Sequence, residues 1–178
     1  MSPDIILFNP MPVKHSVAVV NKMTTSLQVP LVNIPLSLLA LARMVTDDFT
    51  VAIINAPVDA NYTDLILDAC RDALCFGVSS MTCYQIRDGL NVSAAVKEQY
   101  PLLPVIWGGY HPTTQPEQTL ANPNIDIVVR GQGDITFKEV VARLHSGKTL
   151  DGVRGASYKA DKVETPEQPK GLSYSTPS

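Results

Sequence analysis

Cysteine is scarce in this chain: Cys70, Cys75 and Cys83 are the only three in 178 residues. An odd count at irregular spacing builds no disulfide framework, and without a Cys-x-x-Cys pair there is no knuckle for a metal. They read as reduced thiols of a cytoplasmic protein. Cys70 is expected on a helix and Cys75 in a strand, both as small core residues, with Cys83 in a loop. Charge is also sparse. Charged residues make up 17% of the chain and the formal net charge is -3, which leaves no basic footprint for nucleic acid or an acidic membrane surface. No apolar run approaches the roughly 20 residues of a membrane span. The opening "MSPDII" has no cationic stretch leading into a long apolar one, so no signal peptide is expected.

What the chain does have is apolar residues, 45% of the total, enough for the core of one ordinary domain. Short continuous apolar runs at 4–9, 50–56, 74–80, 104–107 and 125–130 read as buried strands. Between them, helical spacing is predicted over 35–45, 63–73, 85–100, 116–122 and 134–147, with Thr63 a candidate cap for the second helix. Strands that alternate with helices and are apolar throughout belong to a parallel sheet covered on both faces. The predicted fold is therefore α/β, a Rossmann-like (flavodoxin-like) doubly wound sheet of five parallel strands in order 2-1-3-4-5. Residues 1–150 are expected to form this domain. Residues 151–178 are expected to hold a small β-hairpin around Ala160-Asp161 and a polar, Pro-rich tail.

One connection is long. From Pro10 to Asn33 about 24 residues separate the first strand from its helix, where about 2 to 6 are usual. That loop leaves the sheet at the switch point, where open α/β sheets bind ligands at the carboxyl ends of their strands. Common occupants of this position are excluded by motif. "FNPMPV" contains no glycine for a dinucleotide fingerprint, nor a Ser/Thr/Gly-rich loop for flavin phosphate. "SGKT" (146–149) has a P-loop ending, but it follows a helix and Ala142 stands where the first glycine belongs, so it reads as a helix terminus. A phospho-receiver needs carboxylates where Asn9 and Ser79-Ser80 stand.

Small residues do gather at adjacent strand ends: "GVSSMT" after the third strand, "WGGYHPT" after the fourth and "RGQGD" after the fifth. Glycine lets a ligand approach the backbone, and serine or threonine offers a hydroxyl without bulk. This pattern fits a long group laid in a groove across several strands.

These motifs, with "PLSLLALA" (35–42), "IINA" (53–56) and "IDIVVRGQGDITFKEV" (125–140), resemble in order the signatures of one family. It is the N-terminal cobalamin-binding domain of cobalamin-dependent radical SAM enzymes. Ser37 departs from that family's usual glycine, and Gln132 and Asp134 from its usual Arg-Gly-Glu-Gly-Glu. The resemblance implies that the nucleotide tail of cobalamin slots into the sheet edge, with the corrin on the loops above. The implied cofactor contacts are Asn9, Pro10, Met11, Ser79, Ser80, Met81, Thr82, Gly108, Gly109, Tyr110, His111, Gly131, Gln132 and Gly133. The pair Gly108-Gly109 would then clear a path for the dimethylbenzimidazole arm. A tight turn between strand and loop is the other reading of that pair.

The family's methyl-carrier relatives place a histidine under cobalt from Asp-x-His-x-x-Gly, which this sequence lacks. The resemblance thus implies base-off cobalamin without a histidine ligand. His15 lies in the long loop, His111 is expected to contact the cofactor periphery or fix its loop, and His145 to sit at a helix end. No catalytic residue and no metal ligand is assigned. S-adenosylmethionine and an iron–sulfur cluster would belong to a radical SAM domain, in cis or in trans, because no Cys-x-x-x-Cys-x-x-Cys is present. The chain alone is then a cofactor-binding module, either a fragment ending before a catalytic barrel of a methyltransferase or a stand-alone binder. The other reading is a domain of this fold that has lost cobalamin and serves in docking or oligomerisation.

Overall fold

Ile5, Ile6, Leu7 and Phe8 are all buried to within 1% of exposure, which a strand achieves only when both faces of its sheet are covered. This strand, β1 (Ile5–Asn9), pairs in parallel with β2 (Val51–Asn55) on one side and β3 (Cys75–Ser79) on the other. Parallel pairing continues through β4 (Val105–Gly108) to β5 (Ile127–Val129). The structure, a computed structural model, describes residues 2–12, 34–159 and 174–175.

The parallel order 2-1-3-4-5 is as the alternation predicts. Beyond β5 the sheet is longer than expected: β6 (Ala156–Lys159) and β7 (Tyr174–Ser175) extend it antiparallel, giving the order 2-1-3-4-5-6-7. The segment expected as a separate small hairpin therefore supplies edge strands to the main sheet, and its anticipated turn at Ala160-Asp161 lies outside the described residues. Val153, Ala156 and Tyr158 share one core with Ile127 and Val140, which explains why residues after 150 still bury apolar surface.

Alternation along β1 divides the core in two. Ile5 and Leu7 face Leu38, Ala42 and Val45 of α1 (Leu36–Val45) and Phe137, Val140 and Val141 of α6 (Asp134–His145). Ile6 and Phe8 face the opposite layer. There Ile66 of α2 (Tyr62–Ala69) and Val92 and Val96 of α3 (Tyr84–Gln99) pack with Trp107. The Trp107 indole is fully buried and its N–H donates to Ser93 Oγ at 3.1 Å, which satisfies the polar atom such a ring brings into a core. Thr63 does not cap α2: the helix begins one residue earlier, after Asn61, and continues as a 3-10 turn over Cys70–Asp72.

Two short helices, α4 (Tyr110–Thr114) and α5 (Pro116–Leu120), follow β4. The first has no helical period in the sequence, and only the second is predicted by it. Gly109, at φ 100°, turns the chain out of the strand and straight into α4, a conformation that side chains exclude.

Candidate functional site

At the carboxyl ends of β3, β4 and β5 a cavity of about 370 Å3 opens between the first turns of α1 and α6, within the usual size of ligand pockets. Gly77 and Ile106 lie along its floor, and Gly108, Gly109 and the loop Gly131-Gln132-Gly133 form one side. Leu36, Ser37, Ala40 and Leu41 from α1 form the other, with Phe137 of α6 and Ser79 at the end of β3. The lining is mostly apolar with few hydroxyls, one amide and the Asp134 carboxylate. Such walls suit a flat, weakly polar group.

Each glycine contributes differently. A Cβ on Gly77 would stand 2.8 Å from Leu7 Cδ2, so the floor is already packed. A Cβ on Gly109 would meet Ser80 backbone oxygen at 2.7 Å and nitrogen at 3.0 Å. Its absent side chain therefore serves the crossing of two backbones, which is the turn reading of that residue. Gly108 is less crowded: the nearest neighbour of an added Cβ would be Val129 oxygen at 3.6 Å, an ordinary contact. Gly131 has nothing within 4 Å and holds φ 74°. Its N–H donates to Thr113 Oγ1 at 2.9 Å, tying the β5 loop to α4.

Of the residues singled out in the sequence, Ser79, Gly108, Gly109, Gly131, Gln132 and Gly133 are thus brought together in the lining of one cavity. Asn9, Pro10, Met11, Ser80 and Met81 form a second group beside it. Asn9 Nδ2 donates to Asn55 Oδ1 at 2.8 Å. Ser80 is fully buried, its N–H donating to Gly108 oxygen at 2.9 Å and its carbonyl accepting from His111 N–H at 3.2 Å. His111 fixes its loop, but through its backbone. Met81 and Tyr110 are more than half exposed, and Thr82 is exposed as well; all three stand outside the cavity lining.

Sequence reasoning missed α1 as a wall. The small residues Ser37 and Ala40, one turn apart in a helix otherwise rich in leucine, carried that signal. It also missed two buried polar residues of α3, Gln85 and Asp88. Gln85 Oε1 accepts from Met81 N–H at 2.9 Å, and its Nε2 donates to Pro10 oxygen at 3.1 Å. Asp88 accepts from Met11 N–H at 2.8 Å and from the Tyr62 hydroxyl at 2.7 Å. Burial, with the Asp88 carboxylate second, pushes the Tyr62 phenol well above its ordinary pKa, so it remains a donor at physiological pH.

His145 lies at the far end of α6, edge-on to Phe49 with ring centroids 5.2 Å apart, and takes no part in the cavity. His15 and most of the long loop that leaves the sheet at the switch point lie outside the described residues. Among the described residues no cluster of His, Cys, Asp and Glu is arranged to hold a metal ion, and no helix is long and apolar enough to cross a membrane.

Comparison with known proteins adds to this geometry. The B12 binding domain family matches residues 25–141. The uncharacterized methyltransferase PH0819 of Pyrococcus horikoshii is 36% identical over 141 residues, which are 78% of this chain and 30% of that protein. The cobalamin-dependent radical SAM methyltransferase TokK of Streptomyces tokunonensis is 31% identical over 86 residues, 46% of this chain and 13% of that one. Among solved structures, the radical S-adenosylmethionine methyltransferase TsrM of Kitasatospora setae superposes with a TM-score of 0.68 at 17% identity. That match covers 91% of this chain and 30% of TsrM, and at such identity it speaks for the fold. The chain spans less than a third of the length of each of these proteins.

Proposed function

From the premise that this chain belongs to the B12 binding domain family, we propose that it holds cobalamin base-off, with the nucleotide arm in the cavity between α1 and α6. The observation that carries this reading is the cavity itself: small residues from three adjacent strand ends and from α1 line one slot. Its apolar walls and Phe137 suit the benzimidazole, and Gly108 offers backbone without a side chain at its side. Ser37, Ser79 and Gln132 would meet the sugar and amide groups that accompany the base.

No Asp-x-His-x-x-Gly occurs in the sequence, and the cavity lining includes no histidine. The missing motif favours cobalt without a protein imidazole beneath it. When bound, cobalamin supplies methyl or electron transfer through cobalt, while the protein binds and orients it. In this reading the chain's own residues keep the arm apart from the corrin and exclude water from it. Methyltransferase activity of a longer protein, with S-adenosylmethionine and an iron–sulfur cluster in a radical SAM domain, accords with what the matched relatives are called.

The test is a visible-absorbance titration of the chain with cobalamin, run beside Gly108→Leu. The wild-type chain should bind. The variant should stay folded by circular dichroism, because a Cβ on Gly108 meets only ordinary contacts with Val129, and should lose at least about tenfold in affinity, about 1.4 kcal/mol. Equal binding by both would place the nucleotide arm elsewhere, and no binding by either would favour a docking or oligomerisation module.

A further inference from the structure

The buried face of α3 runs Gln85, Asp88, Gly89, Val92, Ser93, Val96. That is the regular stripe of a helix packed on a sheet, yet its N-terminal end is an amide and a carboxylate. Gln85 is 9% exposed and Asp88 5%. Burying such groups costs free energy unless every polar atom is paired, and an apolar pair would fill the same stripe. Their pairing shows what they are used for. Gln85 joins two separate loops, accepting from Met81 N–H after β3 and donating to the Pro10 carbonyl after β1. Asp88, one turn on, takes the next N–H of the same β1 loop, Met11, and is itself held by Tyr62.

We propose that Gln85 and Asp88 are positioning residues that set the β1 and β3 loops as the platform for the corrin ring. This rests on the reading of the cavity as the seat of the nucleotide arm. With the arm between α1 and α6 over β3 to β5, the corrin must lie outside the cavity along the same carboxyl edge. The loops of Pro10-Met11 and Met81, which follow the neighbouring strands β1 and β3, would be the backbone next to it. The regular parallel pairings of β1 and β3 end at Asn9 and Ser79, and beyond Ser80, whose N–H still reaches Gly108 oxygen, Gln85 and Asp88 take the N–H and carbonyl groups of the two loops. Fixing a binding surface before the ligand arrives removes its ordering cost from the binding free energy.

Affinity for two ligands separates this role from that of the cavity: cobalamin, and cobinamide, which keeps the corrin and lacks the nucleotide arm. In the full chain, Gln85→Met keeps the side-chain volume and loses all three hydrogen bonds of the amide, to Met81 N–H, the Pro10 carbonyl and Asn9 Oδ1, and Asp88→Ala loses both of its own. Each variant should bind both ligands at least about tenfold more weakly, by a similar factor. Asp88→Asn should restore most of the binding, since its oxygen can accept from Met11 N–H while its amide donates to the Tyr62 oxygen. A merely structural role would lower the melting temperature and leave the affinities of the folded protein unchanged; that outcome overturns the proposal. So does a loss confined to cobalamin. Should Asp88→Ala fail to fold, Gln85→Met decides alone, wild-type affinity for both ligands counting against the proposal. If the wild-type chain binds neither ligand, the cofactor reading itself fails and the positioning role falls with it.

Discussion

Gly109 and Gly108 are neighbours in sequence with different physical reasons to be glycine. The backbone of Gly109 sits at φ 100°, ψ -164°, a region open essentially to glycine alone, and its missing Cβ lets the Ser80 backbone cross. Gly109→Ala should therefore destabilise the protein by about 3 kcal/mol, combining backbone strain with overpacking. A denaturant titration checks this, and a midpoint indistinguishable from wild type would contradict it. The cysteines divide in the same way. Burial pushes the Cys70 and Cys75 thiols up to about 12, Cys75 with a smaller contribution from Cys70, whereas Cys83 is exposed. A raised pKa leaves almost no reactive thiolate near neutral pH. Brief alkylation at pH 8 should label Cys83 alone in the native protein and all three thiols in denaturant, as intact-mass measurement would show. Labelling of Cys75 before unfolding would contradict the packing of β3.

Several elements meet at the end of the sheet opposite the cavity. Asp126, fully buried, accepts from Lys97 Nζ at 2.6 Å and from Val105 N–H at 2.8 Å, tying α3, the start of β4 and the approach to β5. Lys97 also donates to the Pro101 and Leu103 carbonyls. Removing one member of a buried pair leaves the other charge uncompensated, at a cost of about 3–5 kcal/mol. Asp126→Ala should lose stability in that range by chemical denaturation, and a loss below about 1 kcal/mol would show that the carbonyls alone suffice for Lys97. The elements joined here were legible beforehand, because apolar runs such as "CFGVS" and helical spacing such as that of 134–145 each have one physical solution in a two-faced sheet. β6 was not legible as part of that sheet. "ASYK" ends in a lysine that reads as solvated, yet Lys159 is 9% exposed and its Nζ reaches the Asn122 and Ile125 carbonyls. The helix α4 was hidden for a different reason: "YHPTT" has no apolar period, and it forms only because Gly109 redirects the chain over Ser80.

Across the whole molecule the site is a property of the sheet edge. Small residues at the ends of β3, β4 and β5 were visible in the sequence as a pattern; their convergence with Ser37 and Ala40 of α1 required the chain to fold, since α1 is distant from them in sequence. The Gln85–Asp88 clamp was equally hidden, because polar residues in the first turns of a helix ordinarily face water. Cys70 and Cys75 are locked in the core and Cys83 is at the surface, so the three thiols cannot converge on an iron–sulfur cluster. The central claim, cobalamin held base-off with no histidine on cobalt, is tested most directly by electron paramagnetic resonance of Co(II) cobalamin bound to the chain. The expected spectrum shows no nitrogen superhyperfine splitting, and His15→Ala leaves it unchanged. A nitrogen triplet in the bound species, from benzimidazole still on cobalt or from an imidazole that His15→Ala or His111→Ala removes, would contradict the account.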